Sequence, residues 1–187
     1  MVTADDLAER AKRVLDTARY MNLATASAGG VPWAATLEYA WLADPLRFVF
    51  GSATSSRHSR HVRARPEVGG SLFIAGRHSA GVDIASVDGA QFSGHCTEIA
   101  PDKLDEYYAR FYETVFPDPR QRARWQLRPT LLRSPAEHRL YLVEVERWWL
   151  IDTGTWAEDR IDRRVELPLD MPALTGPSRR THARADS

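Results

Sequence analysis

The chain has 187 residues, with 25 Lys and Arg against 25 Asp and Glu and a formal net charge of zero. That length fits one domain with a substantial core, and the balanced charge provides no field to attract nucleic acid or an anionic membrane. The single cysteine, Cys96, excludes an internal disulfide and suits a reducing cytoplasm, and no apolar run reaches the roughly 20 residues of a bilayer span.

Residues 3–20 predict a helix. Thr3 and Asp6 have capping-box spacing, and Leu7, Ala11, Val14, Leu15 and Ala18 share one face. This acidic amphipathic opening does not read as a secretory leader, so a cytoplasmic protein is expected. Residues 23–27, the Ala28-Gly29-Gly30 turn and residues 32–42 predict a hairpin. A strand over 46–50 follows Asp44-Pro45, and a basic helix over 55–64 stops before Pro66. Residues 68–75 and 91–99 predict two more strands; in the second, Phe92, Gly94 and Cys96 alternate with Gln91, Ser93, His95 and Thr97.

Pro101 suits the first position of the next helix, which carries Leu104, Tyr108, Phe111 and Val115 as an apolar stripe and ends at Pro117-Asp118-Pro119. Residues 120–137 are arginine-rich and broken by proline. Residues 139–151 form the last strong strand, with Trp148 and Trp149 on opposite faces. From Pro168 the chain is rich in Pro, Arg and Ser, which predicts a single domain over 1–167 and a flexible tail over 168–187. Strands joined by hairpins, with few helices at the ends, predict a mostly β (α+β) antiparallel barrel.

The most informative stretch is Arg47 to Val62, RFVFGSATSSRHSRHV. An apolar strand ends at Gly51-Ser52, and the hydroxyls of Ser52, Thr54, Ser55 and Ser56 precede a helix carrying Arg57, His58, Arg60 and His61. Amides at a helix start, hydroxyls and a guanidinium together make an anion pocket suited to phosphate. The plainer reading is an ordinary N-cap with a solvated first turn. Arg57, Arg60, Arg63 and Arg65 also read as an exposed basic face, but zero net charge and the lack of interleaved aromatics disfavour nucleic acid.

His58 and His61 have helical spacing, yet no adjacent Asp, Glu or Cys completes a metal site, and none is assigned. Cys96 reads as a small buried apolar residue, and His78 as a loop histidine or, by analogy, a haem ligand. Tyr107, Tyr108, Phe111 and Tyr112 read as a helix packing face. No Ser/His/Asp order and no carboxylate pair supports hydrolysis, so the catalytic residues are unassigned. That pattern fits chemistry carried by a cofactor.

The ungapped stretch Phe48 to Val62 resembles the pyridoxamine-5′-phosphate-oxidase-like FMN-binding split barrels. The hairpin NLATASAGGVPW, the strand GAQFSGHCTE and the late Trp-rich strand extend the likeness over residues 5–165. The helical insertion at 101–133 is similar to a small bacterial branch, not to the oxidase itself. The resemblance implies a split barrel of six to seven antiparallel strands with a few peripheral helices, and a homodimer with FMN in a cleft between subunits. It also implies an FMN-dependent oxidoreductase acting on a small-molecule substrate, with NAD(P)H as a donor, and no nucleic-acid or membrane partner.

Carried over by position, the resemblance implies that Gly51 and Ser52 contact the flavin phosphate or ribityl chain and that Ser56 and Arg57 hold the phosphate. His58 stands where the oxidase has a phosphate-binding lysine. Thr36, Leu37 and Glu38 lie on the strand whose backbone meets the pyrimidine edge. Gln91 matches a glutamine that reaches the flavin, and Trp156 would stack near the ring from the partner chain. Ala35 and Ala40 replace a basic residue at each end of the second-strand motif, and Arg160 to Arg164 offer no counterpart to the oxidase's substrate-gripping arginine and histidine. These departures argue against pyridoxamine-phosphate oxidation. They keep open a non-catalytic carrier of haem, flavin or deazaflavin (F420), or a barrel with no cofactor.

Overall fold

In the computed structural model, which describes residues 3–78, 81–152, 155 and 159–170, the Thr3–Asp6 capping box starts α1 (Ala4–Thr17). The strands β1 (Tyr20–Ala26) and β2 (Pro32–Glu38) pair antiparallel as the expected hairpin. The run expected as one strand over 32–42 is instead broken at Tyr39, beyond which β3 (Ala40–Leu42) pairs with β4 (Arg47–Ala53). Tyr39 is fully buried, so the chain turns inward there and changes partners.

Ser56 caps α2 (Arg57–Ala64), its hydroxyl accepting from the Ser59 amide, as the hydroxyl cluster suggests. The long hairpin partners β5 (Glu67–His78) and β6 (Gly81–Glu98) extend well beyond the expected strands, because pairing with each other carries them through Gly- and Asp-containing sequence. Pro101 does not open the next helix. It lies in a turn closed by the Lys103 amide on the Ala100 carbonyl, and α3 (Leu104–Val115) begins after it. The first-position proline is Pro119, in α4 (Pro119–Trp125), where Asp118 accepts from the Arg120 amide. A short 3-10 turn (Pro129–Leu132) leads into β7 (His138–Ile151), and β8 (Arg164–Leu167) pairs with its end.

The strand order is β2-β1-β5-β6-β7-β4-β3, with β8 added on β7. The two end strands, β2 and β3, are neighbours in sequence joined through Tyr39 alone, so the sheet curls until its ends meet. This is the mostly β antiparallel split barrel expected, with eight strands counted once β3 and β8 are separated.

The barrel interior is filled by Met21, Leu23, Phe48, Phe50, Phe92, Tyr141 and Trp148, and α1 packs on it through Ala11, Val14 and Leu15. A second core lies on the opposite face of β4 and β7, where Val49 and Leu140 meet Tyr107, Phe111 and Tyr112 of α3. Two faces of β4 are therefore buried, which fixes the strand that carries Gly51 and Ser52. Gly94 sits at the register shift between β6 and β7, where a Cβ would lie 2.1 Å from the Glu144 carbonyl oxygen, so only glycine fits. Asp88 is buried and ties α1 to β6 through Arg10 at 2.9 Å and Arg13 at 2.9 Å. Among the described residues no helix is long and apolar enough to cross a membrane.

Candidate functional site

A cleft of about 500 Å³ opens along the seam where the curled sheet brings β2 near β4. One wall is made by strands: Thr36, Leu37 and Glu38 from β2, and Gly51 and Ser52 from β4. The facing wall comes from the helical insertion, through Phe111, Tyr112, Val115 and Phe116 of α3, Trp125 of α4, and Leu127. The insertion is held as one piece by two phenols. Tyr108 donates to the Leu127 carbonyl at 2.6 Å, and the Leu127 amide donates to Tyr112 Oη at 3.2 Å. The volume lies in the range of small-molecule and cofactor pockets.

Among the described residues, the charges on the cleft lining are already engaged. Glu38 accepts from Arg19 Nε at 2.9 Å and Nη2 at 2.8 Å. Arg139 donates to Glu98 at 2.7 Å and to the Ala136 and His138 carbonyls at 2.6 and 2.7 Å. Among the described residues the lining imidazole is His138.

Beside the cleft stands the start of α2. Ser52 Oγ lies 2.8 Å from His58 Nε2 and donates to Ser56 Oγ at 3.1 Å, and Ser56 donates to Ser59 Oγ at 2.8 Å. Ser59 and Arg60 amides are taken by Ser56, which leaves the Arg57 and His58 amides without an intrahelical acceptor. Burial, with a smaller contribution from His61, lowers the His58 pKa below 6.5. The imidazole is therefore neutral near pH 7, a buried hydrogen-bond partner and not the fixed positive charge that a lysine would supply.

The Arg57 guanidinium stacks over the Trp33 ring of β2 at 4.6 Å. Among the described residues it makes no ion pair, so its donors remain available to an anion. The free donors are one guanidinium and two amides, with the mutually bonded Ser52 and Ser56 hydroxyls beside them, which fits an anion such as phosphate held at a helix start.

The structure thus brings Thr36, Leu37, Glu38, Gly51 and Ser52 together around one cleft, with Ser56, Arg57 and His58 clustered next to it. Gln91 is elsewhere. It lies in a cross-strand row, Thr36–Asn22–Ser71–Gln91–Trp149, three strands from Thr36 and so roughly 14 Å away. Its Oε1 accepts from Arg164 Nε at 3.0 Å. Trp156 and the side chain of His78 lie outside the described residues, as do residues 171–187 of the expected tail, while Leu169 packs against the barrel core.

His61 is turned into the packing of α2 on β1, 3.1 Å from Thr25 Oγ1. Cys96 is buried and its thiol is pushed up to about 12 by desolvation, which makes it an inert core residue. Trp148 is core, whereas Trp149 is half-buried under Arg147 at 4.7 Å. Sequence reading missed the helical wall and His138 and Arg139. Only the aromatic density between Tyr107 and Trp125 hinted at the wall, and it reads equally as packing.

The fold and this seam define a split barrel. The chain belongs to the pyridoxamine 5′-phosphate oxidase family, whose profile matches residues 7–151. Among solved structures it is similar to a haem-binding protein from Mycobacterium smegmatis, with 16% identity and a TM-score of 0.64 over 92% of this chain and 60% of that one. It is also similar to a protein of unknown function from Agrobacterium tumefaciens, with 21% identity and a TM-score of 0.59 over 78% of this chain and 56% of that one. An FAD-binding protein from Mesorhizobium loti matches at 17% identity and a TM-score of 0.53, over 74% of this chain and 88% of that one. The chain thus spans less than two thirds of the first two. No curated protein matches it.

Proposed function

We propose that this protein binds FMN and serves as a flavin-dependent oxidoreductase for a small molecule, working as a homodimer. The observation that carries this reading is the position of Ser52, which lines the cleft and also belongs to the hydroxyl cluster at the start of α2. One residue thereby links a ring-sized cleft to a phosphate-sized corner.

In this reading the Arg57 guanidinium and the free amides of α2 hold the phosphate, with the Ser52 and Ser56 hydroxyls beside them. The β2 backbone at Thr36 to Glu38 lies along the ring edge. The Arg19–Glu38 pair, with its charges satisfied, keeps that strand end in place. The aromatic wall of α3 and α4 excludes water. FMN, when bound, supplies the redox chemistry, and the protein contributes binding, orientation and a dry environment.

The homodimer is part of this proposal, and it agrees with the place given there to Gln91. At three strands from Thr36 on the same register row, its amide serves a flavin only if that flavin sits in the partner's cleft. NAD(P)H as donor is part of this proposal.

The test is the visible spectrum of freshly purified protein, followed by FMN titration read through flavin fluorescence. A flavin spectrum, or saturable quenching with Arg57→Ala weakening it, supports the reading. A colourless protein that leaves FMN fluorescence unchanged overturns it. Haem is the second reading, favoured by the His138 imidazole on the cleft lining, and a Soret band lost in His138→Ala is its signature.

A further inference from the structure

The helical insertion is the part of the cleft that FMN binding leaves unexplained. It supplies Phe111, Tyr112, Phe116 and Trp125, and none of these is needed to hold a phosphate or the edge of a ring system. We propose that this wall binds an uncharged planar aromatic compound, stacked face to face with the insertion and opposite the strand wall. The proposal rests on the flavin reading for the strand wall, and it names the class of small molecule that reacts there.

The chemistry of the wall favours flatness. Aromatic side chains attract planar rings through offset stacking and edge contacts, beyond the area they bury. Tyr112 and Phe116 stack on each other at 6.3 Å with an interplanar angle of 20°; Tyr112 is buried, so half-buried Phe116 and exposed Trp125 are the rings most open to a ligand. Trp125 is 59% exposed, a large indole left open beside the cleft and not closed into the core.

The electrostatics favour a neutral ligand. Glu38 is neutralised by Arg19, and Arg139 by Glu98 and two carbonyls, so among the described lining residues no carboxylate or guanidinium is free. A charged compound entering between apolar walls loses its hydration and gains no counter-charge. Two cations stand just outside the lining: Arg57, at the corner that FMN's phosphate would fill, and Arg124, which stacks on the Trp125 ring at 5.4 Å. If Arg124 governed binding, anions would be preferred, so the sign of the ligand's charge is the decisive variable.

The experiment is calorimetric titration of the protein with 2-naphthol and with naphthalene-2-sulfonate, a neutral and an anionic compound on the same ring system. Each titration is run with and without saturating FMN. The expected result is saturable binding of 2-naphthol in both cases, with the sulfonate at least tenfold weaker once FMN fills the Arg57 corner. Trp125→Ala, a surface change checked for an unaltered thermal melt, weakens 2-naphthol at least tenfold, and Trp125→Phe restores most of it. With FMN bound, sulfonate binding equal to or tighter than naphthol overturns the proposal, as does naphthol affinity unchanged in Trp125→Ala, or naphthol excluded by FMN. If FMN itself does not bind while naphthol does, the flavin reading fails and the aromatic wall stands.

Discussion

Ser52 Oγ lies 2.8 Å from His58 Nε2, and this contact joins the end of β4 to the first turn of α2. A buried neutral imidazole thus organises two serine hydroxyls at this corner. In the proposed flavin site, positive charge for the phosphate then comes from Arg57, which stacks on Trp33 of the neighbouring β2.

Arg57→Ala is expected to weaken FMN binding by tenfold or more, since charge-assisted hydrogen bonds contribute about 1.5–3 kcal/mol each. Folding stability should move by no more than about 0.5 kcal/mol, because the side chain is exposed. Fluorescence titration and urea denaturation of the same samples check both halves. Equal FMN affinity in variant and parent would remove Arg57 from the site.

His58 gives the protein a defined response to acid. Burial lowers its folded pKa below the unfolded value of 6.5, so the unfolded chain takes up the proton first. The stability associated with neutral His58 is complete above 6.5 and is lost as pH falls through the folded value. Denaturant midpoints measured on either side of 6.5 should fall on acidification in the parent and change less in His58→Gln. Parallel pH curves would refute this.

Asp88 should be among the most sensitive positions outside the cleft. Burial alone would raise its pKa, but the Arg10 bonds, the Gly89 amide and Arg13 outweigh it and hold the carboxyl below 3.8. Asp88→Asn leaves Arg10, itself largely buried, without its counter-charge. A loss of about 3–5 kcal/mol is expected, as for other broken buried pairs, read as a lowered urea midpoint. Arg13→Ala, at an exposed partner, should cost far less.

Gly94→Ala tests the register shift between β6 and β7. The added methyl would meet the Glu144 carbonyl, a backbone atom with no freedom to swing aside. Destabilisation of about 3 kcal/mol or more is expected, at the upper end for overpacking. A variant with an unchanged thermal midpoint would mean that the two strands separate there at little cost.

The dimer proposed above is checked by light scattering after gel filtration. Gln91→Ala should then weaken FMN binding without changing the dimer mass. A monomer that still binds FMN tightly would place Gln91 outside the flavin site altogether.

The amino-acid order by itself determined those features that depend on near neighbours. The Thr3–Asp6 box, the Ser56 cap and the alternation around Cys96 each act within a few residues, so their spacing is readable directly. The clustering of hydroxyls, amides and Arg57 at one helix start was legible for the same reason. Only the tertiary structure decided where Tyr39 divides one apolar run into the two ends of the sheet. It also decided that Arg57 rests on Trp33, that Gln91 lies three strands from Thr36, and that Phe111 and Trp125 face the strand wall. Those relations join residues far apart in sequence, and they are fixed by which apolar faces find each other and by strand register, neither of which leaves a local pattern to read.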